Sequence, residues 1–116
     1  MAPDNRKTKI IAELEVVPLG GGSTSVGREV AVALSAIERV EGITCQLTPM
    51  GTIMEAEGLD PILRAVKAAH LALVEIGVQR IVSDLRIDDR RDKRRSMSDK
   101  VKSVQRYRAE VGRKEV

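Results

Sequence analysis

The sequence predicts an α+β sandwich in which two helices cover one face of a four-stranded antiparallel sheet. Three observations support this prediction: the elements follow the order β-α-β-β-α-β, each helix carries an apolar stripe, and a hairpin joins the two middle strands. This order is typical of the ferredoxin-like fold, and right-handed crossovers place both helices on the same sheet face. The other sheet face is expected to stay open.

The first strand is predicted from Lys9 to Val17, where Pro18 ends it, and a glycine-rich segment at residues 20–25 follows. The helix after it has an apolar stripe with spacing of three or four residues, and Ser23, Thr24 or Ser25 is expected to cap it. The stripe consists of Val26, Val30, Ala33, Leu34, Ile37 and Val40. These signals predict the first β-α unit.

The hairpin is predicted over residues 44–57, with its corner at Pro49-Met50-Gly51, because two alternating runs flank this pair of turn-forming residues. Asp60 and Pro61 begin the second helix, where a proline in the first turn costs no hydrogen bond. The last strand spans residues 80–88. A basic loop (89–97) and a sparsely apolar helix (98–111) complete the chain.

Composition limits the possible classes of protein. At 116 residues the chain suits one domain, and its core must be aliphatic because Phe and Trp are absent and Tyr107 is the only aromatic residue. We predict a disordered extension over residues 1–8 and a single domain over 9–116. No apolar run approaches the length of about 18 residues that a membrane helix needs, so no membrane association is expected. The polar N-terminus lacks a signal core, which predicts a cytoplasmic location.

The open sheet face combines acidic and branched apolar side chains. Strand alternation places these residues there: Ile11, Glu13, Glu15, Val17, Gln46, Thr48, Ile53, Glu55, Glu57, Val82, Asp84, Arg86 and Asp88. A face this apolar is expected to be buried against another subunit. Its carboxylates either bind a cationic ligand or form salt bridges between subunits, with Arg86 as one partner, and these two interpretations remain open. Glu55 is the carboxylate that we favour for a ligand.

Charge is unevenly distributed along the chain. Residues 1–79 have a net charge of −3 and residues 80–116 one of +6. The basic segment indicates either a solvated helix or a nucleic-acid-binding module, which is our alternative function. RNA readers with this fold stack bases on sheet aromatics, which are missing here, and an acidic open face repels phosphate. Nucleic acid is therefore the less favoured partner.

Catalytic and metal signals are weak. The segment GSTSVGRE has the glycine spacing of a P-loop, but Arg28 replaces the lysine and Glu29 the magnesium-binding hydroxyl. The glycine-rich loop either binds a polar group or only makes the turn. His70 is the only histidine and Cys45 the only cysteine, which gives neither a metal site nor a nucleophile–base pair by spacing. We expect no enzyme activity, no catalytic residue, no metal and no cofactor.

Four segments in register resemble the small thiamine-binding protein family, relatives of the YkoF-type thiamine/hydroxymethylpyrimidine binders. They are PLGGGSTSV, PMGTIMEAE, AVKAAH and RIVSDLRIDDRRDK, and the resemblance covers residues 10–104. It implies a ferredoxin-like domain that binds thiamine or its pyrimidine moiety without catalysis. It also implies a homo-oligomer, a tetramer formed as a dimer of dimers through the open sheets.

The resemblance also implies which residues contact the ligand. It implies that thiamine is bound as a ligand and does not serve as a cofactor. The candidate residues are Ser23, Ser25, Met50, Thr52 and Glu55. Glu55 would pair with the exocyclic amine or the thiazolium charge, and the hydroxyl groups would bind the pyrimidine ring. Met50 would pack its sulfur against a flat ring.

Overall fold

The computed structural model describes residues 9–114, with side chains through residue 112. Its elements are β1 (Lys9–Leu19), α1 (Gly27–Glu38), β2 (Thr44–Thr48), β3 (Gly51–Glu57), α2 (Leu59–Glu75), β4 (Arg80–Asp88) and α3 (Met97–Lys114). The sheet order is β2-β3-β1-β4, and every neighbouring pair is antiparallel. The predicted ferredoxin-like fold with an additional C-terminal helix is confirmed. The predicted extension over residues 1–8 lies outside the described residues.

The core lies between the sheet and helices α1 and α2. Alternate residues of β1 and β3 enter it, and the helices contribute mostly alanine and branched aliphatic side chains. The buried set is Ile10, Ala12, Leu14, Ala33, Ile37, Met54, Ala56, Ile62, Ala65, Ala69 and Leu73. Small alanines on both helices let aliphatic side chains fill the core without aromatic rings.

The first strand is longer than the sequence predicted. Pro18 does not end β1, which continues to Leu19 and pairs with β4 over its whole second half. Pairing between β1 and β3 stops at Leu14, so residues 15–19 have one free edge. A proline is tolerated there because its missing N–H removes no hydrogen bond from the neighbouring strand.

Helix α1 begins differently from the prediction. Its N-cap is Val26, and no side chain caps the helix. The Ser23 hydroxyl instead accepts a hydrogen bond from the Ser25 N–H at 3.1 Å, inside the loop. The capping role predicted for residues 23–25 is therefore wrong, because the serine bonds locally before the helix starts.

Helix α2 ends in a glycine as predicted. Gly77 has φ of 94°, a conformation that favours glycine, and its N–H donates to the Val74 carbonyl at 3.0 Å. The Val78 N–H reaches back to the Leu73 carbonyl at 3.1 Å. These two hydrogen bonds end the helix, and the chain continues into β4, which occupies the predicted range of residues 80–88.

The sheet face opposite the two helices is open along most of its length. Helix α3 is longer than the predicted range of 98–111, and its first turns lie at one end of this open face. The Met97 N–H donates to Glu55 Oε2 at 2.8 Å, and Lys100 forms an ion pair with Asp88. The C-terminal helix is thus anchored by acidic side chains of the sheet.

Candidate functional site

A cavity of about 190 Å³ opens between the β2–β3 hairpin, the end of β1 and helix α1. Aliphatic side chains and a methionine form its apolar wall. Its polar lining residues carry either a hydroxyl or a carboxylate group. The apolar residues include Val26, Val30, Leu47 and Met50, and the polar ones are Glu15, Glu29, Thr48 and Thr52. An apolar slot with a few polar groups suits a small heteroaromatic ring. We call this space the hairpin cavity.

The hairpin turn holds one side of the cavity in place. Thr48 Oγ1 accepts hydrogen bonds from the N–H groups of Met50 at 3.3 Å and Gly51 at 3.2 Å, and it donates to the Gly51 carbonyl at 2.8 Å. Thr52 is 7% exposed, whereas Met50 is 73% exposed at the rim. The turn therefore combines a fixed hydroxyl-bearing wall with a free methionine side chain.

A second, more open space of about 660 Å³ adjoins the hairpin cavity, and we call it the glycine-loop groove. It is lined by residues 18–26, by the first turn of α1 and by residues 76–80, and it includes Ser23 and Ser25. Gly20 and Gly22 have φ of 86° and 77°, which any other residue would adopt only with strain. The two spaces share Pro18, Val26 and Glu29 as lining residues, so they adjoin each other.

Glu29 is the residue of this site that sequence reasoning missed. It lies in the first turn of α1 and is the only charged residue that lines both the hairpin cavity and the glycine-loop groove. It forms no ion pair with a lysine or arginine of the described segment. The signal was present in GSTSVGRE, where an acid follows a glycine-rich loop, but that segment was compared only with a phosphate-binding loop.

Glu55 lies on the other face of the sheet. It forms an ion pair with Lys9 at 2.8 Å and accepts the Met97 N–H at 2.8 Å. Burial raises the pKa of Glu55, but the hydrogen bonds from Lys9 and the Met97 N–H outweigh it and hold the pKa below its usual value. Its carboxylate is thus ionised and already has two partners within the chain.

The five predicted ligand residues do not form one site within a single chain. Met50 and Thr52 line the hairpin cavity, and Ser23 and Ser25 line the adjoining groove. Glu55 and Thr52 are three residues apart on one strand and therefore lie on opposite sheet faces. The structure thus brings four of the five to two adjoining spaces and separates Glu55 from them.

Two other acids of the open face are also partnered from within the chain. Glu57 pairs with Arg94, and Asp88 pairs with Lys100. These cations come from the C-terminal segment, which sequence reasoning did not connect with the acidic face. Pairing of Arg86 across a subunit contact remains a prediction.

His70 and Ser83 meet where α2 packs on β4, although their spacing in the sequence did not indicate it. His70 Nε2 and Ser83 Oγ lie 2.8 Å apart and are partly buried. Neither residue lines the hairpin cavity or the glycine-loop groove. Burial, followed by the charge of Glu38, raises the pKa of the Cys45 thiol, so the thiol is protonated at neutral pH. These groups serve packing and hydrogen bonding in this fold.

Within residues 9–112, no group of three or more His, Cys, Asp or Glu side chains is arranged to hold a metal ion. No helix of the described segment is long and apolar enough to cross a membrane.

Comparison with known proteins identifies the family. The sequence profile described as "Thiamine-binding protein" matches residues 12–105. The chain is 47% identical over 95 residues to a UPF0045 protein of Methanothermobacter thermautotrophicus, covering 82% of this chain and 95% of that protein. It is 37% identical over 100 residues to the UPF0045 protein YqgV of Bacillus subtilis, covering 84% and 95% respectively. None of these names states a catalytic activity.

Solved structures agree with this result. Protein MJ1052 of Methanocaldococcus jannaschii superposes with a TM-score of 0.76 at 36% identity, covering 84% of this chain and 96% of that one. A Thermotoga maritima protein provisionally assigned to thiamine biosynthesis or salvage superposes with a TM-score of 0.68 at 23% identity, covering 83% and 98%. The second likeness is one of fold. On the profile match and the sequence identities, the chain belongs to the family of thiamine-binding proteins.

Proposed function

We propose that the protein binds thiamine or its hydroxymethylpyrimidine moiety and catalyses no reaction. The observation that carries this proposal is that the hairpin cavity and the glycine-loop groove adjoin each other, with Glu29 lining both. Thiamine has two rings, an aminopyrimidine and a cationic thiazolium, joined by one carbon. Two adjoining spaces suit the two rings, and Glu29, which lines both, provides a carboxylate for the cationic ring.

Volume decides which ring enters which space. The hairpin cavity measures about 190 Å³, which is below the range of about 300–1,000 Å³ typical for whole drug-sized ligands. It therefore suits one ring, and we assign it the pyrimidine, which is flat and neutral. The thiazolium then lies in the larger groove beside Ser23 and Ser25, whose hydroxyl groups suit its hydroxyethyl arm.

The contacts follow from the chemistry of each wall. Met50 packs its polarisable sulfur on the pyrimidine face, opposite the valines of α1. The Thr52 hydroxyl hydrogen-bonds to a ring nitrogen or the exocyclic amine. Glu29 offsets the charge on the thiazolium. An aromatic cage cannot do so, because the single aromatic residue, Tyr107, lies on α3, where the Arg106 guanidinium is 5.2 Å from the centre of its ring.

Calorimetry with two ligands tests this arrangement. In Glu29→Gln, thiamine affinity should fall about tenfold to a hundredfold, since a hydrogen bond or contact with a charged group contributes about 1.5–3 kcal/mol. Affinity for neutral hydroxymethylpyrimidine should change much less. Thr52→Val should weaken both ligands, because both carry the pyrimidine ring.

Glu38→Gln is the matched control, since Glu38 is an exposed glutamate of the same helix and lines neither space. It should leave both affinities unchanged. If wild type gives no heat with either ligand at millimolar concentration, the proposed function is wrong. If Glu29→Gln weakens both ligands equally, the assignment of the rings to the two spaces is wrong.

Two rival functions have less support. An enzyme, such as a small isomerase or a monooxygenase-like dimer of the same fold, would need reactive groups in a cleft, whereas the His70–Ser83 pair lines neither of the two spaces. A nucleic-acid-binding module would use the basic segment after β4. There, Arg90 pairs with Asp92 and Arg91 with Asp89, so part of that charge is already neutralised.

Assembly is the second part of the proposal. We propose a homo-oligomer, a tetramer by family resemblance, that acts in the cytoplasm and buries the open sheet face. The half-buried Ile11 and Ile53 lie near one another on that face, and the exposed Val82 lies toward its other end, opposite Val17. An ordinary specific interface of about 800 Å² per subunit would cover these side chains.

A further inference from the structure

Among the described residues, helix α3 contacts the rest of the chain only near its start. The Met97 N–H bonds to Glu55, Lys100 pairs with Asp88, and Val104 lines a cleft on the open face beside Ile11. From residue 104 to residue 112 every position is exposed. The radius of gyration is 17.4 Å, whereas a compact chain of this length has about 13 Å. The helix therefore projects away from the domain.

The projecting part of α3 has an apolar stripe without a partner. Its members recur at intervals of three or four residues and are 55–66% exposed: Val101, Val104, Tyr107 and Val111. Isolated helices of this length are marginal in water, and most helices in proteins are stabilised by packing an amphipathic face. This stripe is thus expected to lie against another surface.

Cations lie within the arc of the stripe and also on the back of the helix. At about 100° per residue, Lys100 and Arg108 fall on either side of the centre of the stripe, while Lys102 and Arg106 lie on the opposite side of the helix. Lys100 already pairs with Asp88 of its own sheet. The surface that suits α3 is therefore apolar and acidic.

The open sheet face has this composition. Ile53 and Val82 lie among the exposed acids Glu13, Glu15 and Asp84. The chain already joins the two surfaces at one end, where the first turns of α3 bond to Glu55 and Asp88. Residues 105–114 extend about 15 Å further, which is about the width of a four-stranded sheet with strands about 4.8 Å apart. This is enough helix to cross the sheet of a neighbouring molecule.

We infer that α3 docks on the open sheet face of a second copy of the chain, reciprocally about a two-fold axis. The apolar stripe packs on Ile53 and Val82 of the other copy, and Arg108 faces Glu13 and Glu15 of that copy. Two-fold symmetry buries both stripes and both sheet faces in one contact. This inference rests on the proposed homo-oligomer and identifies the element that forms its interface.

Two cations of α3 provide a matched test by sedimentation equilibrium of the full chain. Arg108→Glu places a carboxylate within the stripe, opposite acids, and should raise the dissociation constant of the assembly by about tenfold or more. Lys102→Glu makes the same change in charge on the opposite side of the helix and should leave the constant nearly unchanged. Circular dichroism checks that both variants are folded.

A charge exchange identifies the surface that α3 contacts. The double variant Glu13→Arg/Glu15→Arg should assemble poorly alone, because its sheet repels Arg108. When it is mixed with Arg108→Glu, a mixed assembly should form in which each basic surface meets an acidic one. Failure of the mixture to assemble would overturn the inferred contact.

Other outcomes separate this inference from the proposed function. If Arg108→Glu assembles like wild type, α3 does not form the interface, whatever the ligand data show. A wild-type monomer that sediments with phosphatidylserine vesicles would overturn the inference in favour of a lipid surface. Thiamine calorimetry on Arg108→Glu should match wild type, because Arg108 lines neither the hairpin cavity nor the glycine-loop groove. If wild type did not bind thiamine, the proposed function would be wrong, but the inferred interface would not be affected.

Discussion

Gly51 lies where the ligand cavity and the sheet share a wall, and its substitution tests both. A Cβ atom added at Gly51 would lie 3.0 Å from the Leu14 carbonyl oxygen and 3.4 Å from Glu13 Cγ. The nearer atom is backbone in the centre of the sheet, so β3 must move by a few tenths of an ångström to accept Gly51→Ala. Overpacking of this kind costs about 1–3 kcal/mol.

For a domain of this size, that cost should lower the melting temperature by about 3–12 °C. Thiamine affinity should fall as well, because Gly51 and the neighbouring Thr52 both line the hairpin cavity. Thermal unfolding followed by circular dichroism measures the first effect, and calorimetry measures the second.

Gly21→Ala is the control for stability. No atom lies within 4 Å of a Cβ added there, and the backbone of Gly21 does not require glycine. Its melting temperature should therefore match wild type. If Gly51→Ala kept both the wild-type melting temperature and the wild-type affinity, the close approach of β3 to β1 would not determine the shape of the cavity.

Two further predictions concern the hairpin turn and the anchor of α3. Thr48→Val should cost about 1–3 kcal/mol, because the Met50 and Gly51 N–H groups lose their acceptor, whereas Thr48→Ser should cost much less; urea unfolding of both variants provides the comparison. The pKa of Glu55 is lowered from 4.5 in the folded state, so its stabilisation is complete above pH 4.5 and is lost as the pH falls through the lowered value. In thermal melts between pH 6 and 3, Glu55→Gln should show a smaller loss of stability at acid pH than wild type. If the two pH profiles were the same, ionised Glu55 would not be the group that anchors α3.

Periodicity in the sequence was sufficient to predict the order of elements and the core. Alternation in β1 and β3 and the stripes of α1 and α2 are local patterns, and burial of an apolar face follows directly from them. The range of β4 was predicted correctly for the same reason. Errors arose where a neighbouring strand determines the outcome, as at Pro18, which is tolerated because it lies beyond the part of β1 that pairs with β3.

The candidate site was predictable in part. Met50 and Thr52, and separately Ser23 and Ser25, were identified by the resemblance to the family and lie in two adjoining spaces. Glu55 was grouped with Met50 and Thr52 because all three belong to the hairpin segment. Strand alternation, however, puts Glu55 on the sheet face opposite Thr52. Glu29 was missed because it lines the same cavity as the hairpin only in the folded chain, whereas the two segments are far apart in the sequence.

By itself the sequence determined the fold class, the aliphatic core and the acidic character of the open face, since each depends on residue type at local spacing. Only the tertiary structure decided which carboxylate meets which partner. Lys9 and the Met97 N–H bind Glu55, while Glu29 lines the cavity. The physical reason is that an ionised side chain is stabilised by whatever charge or N–H group lies within a few ångströms, and such neighbours come from residues far apart in the chain.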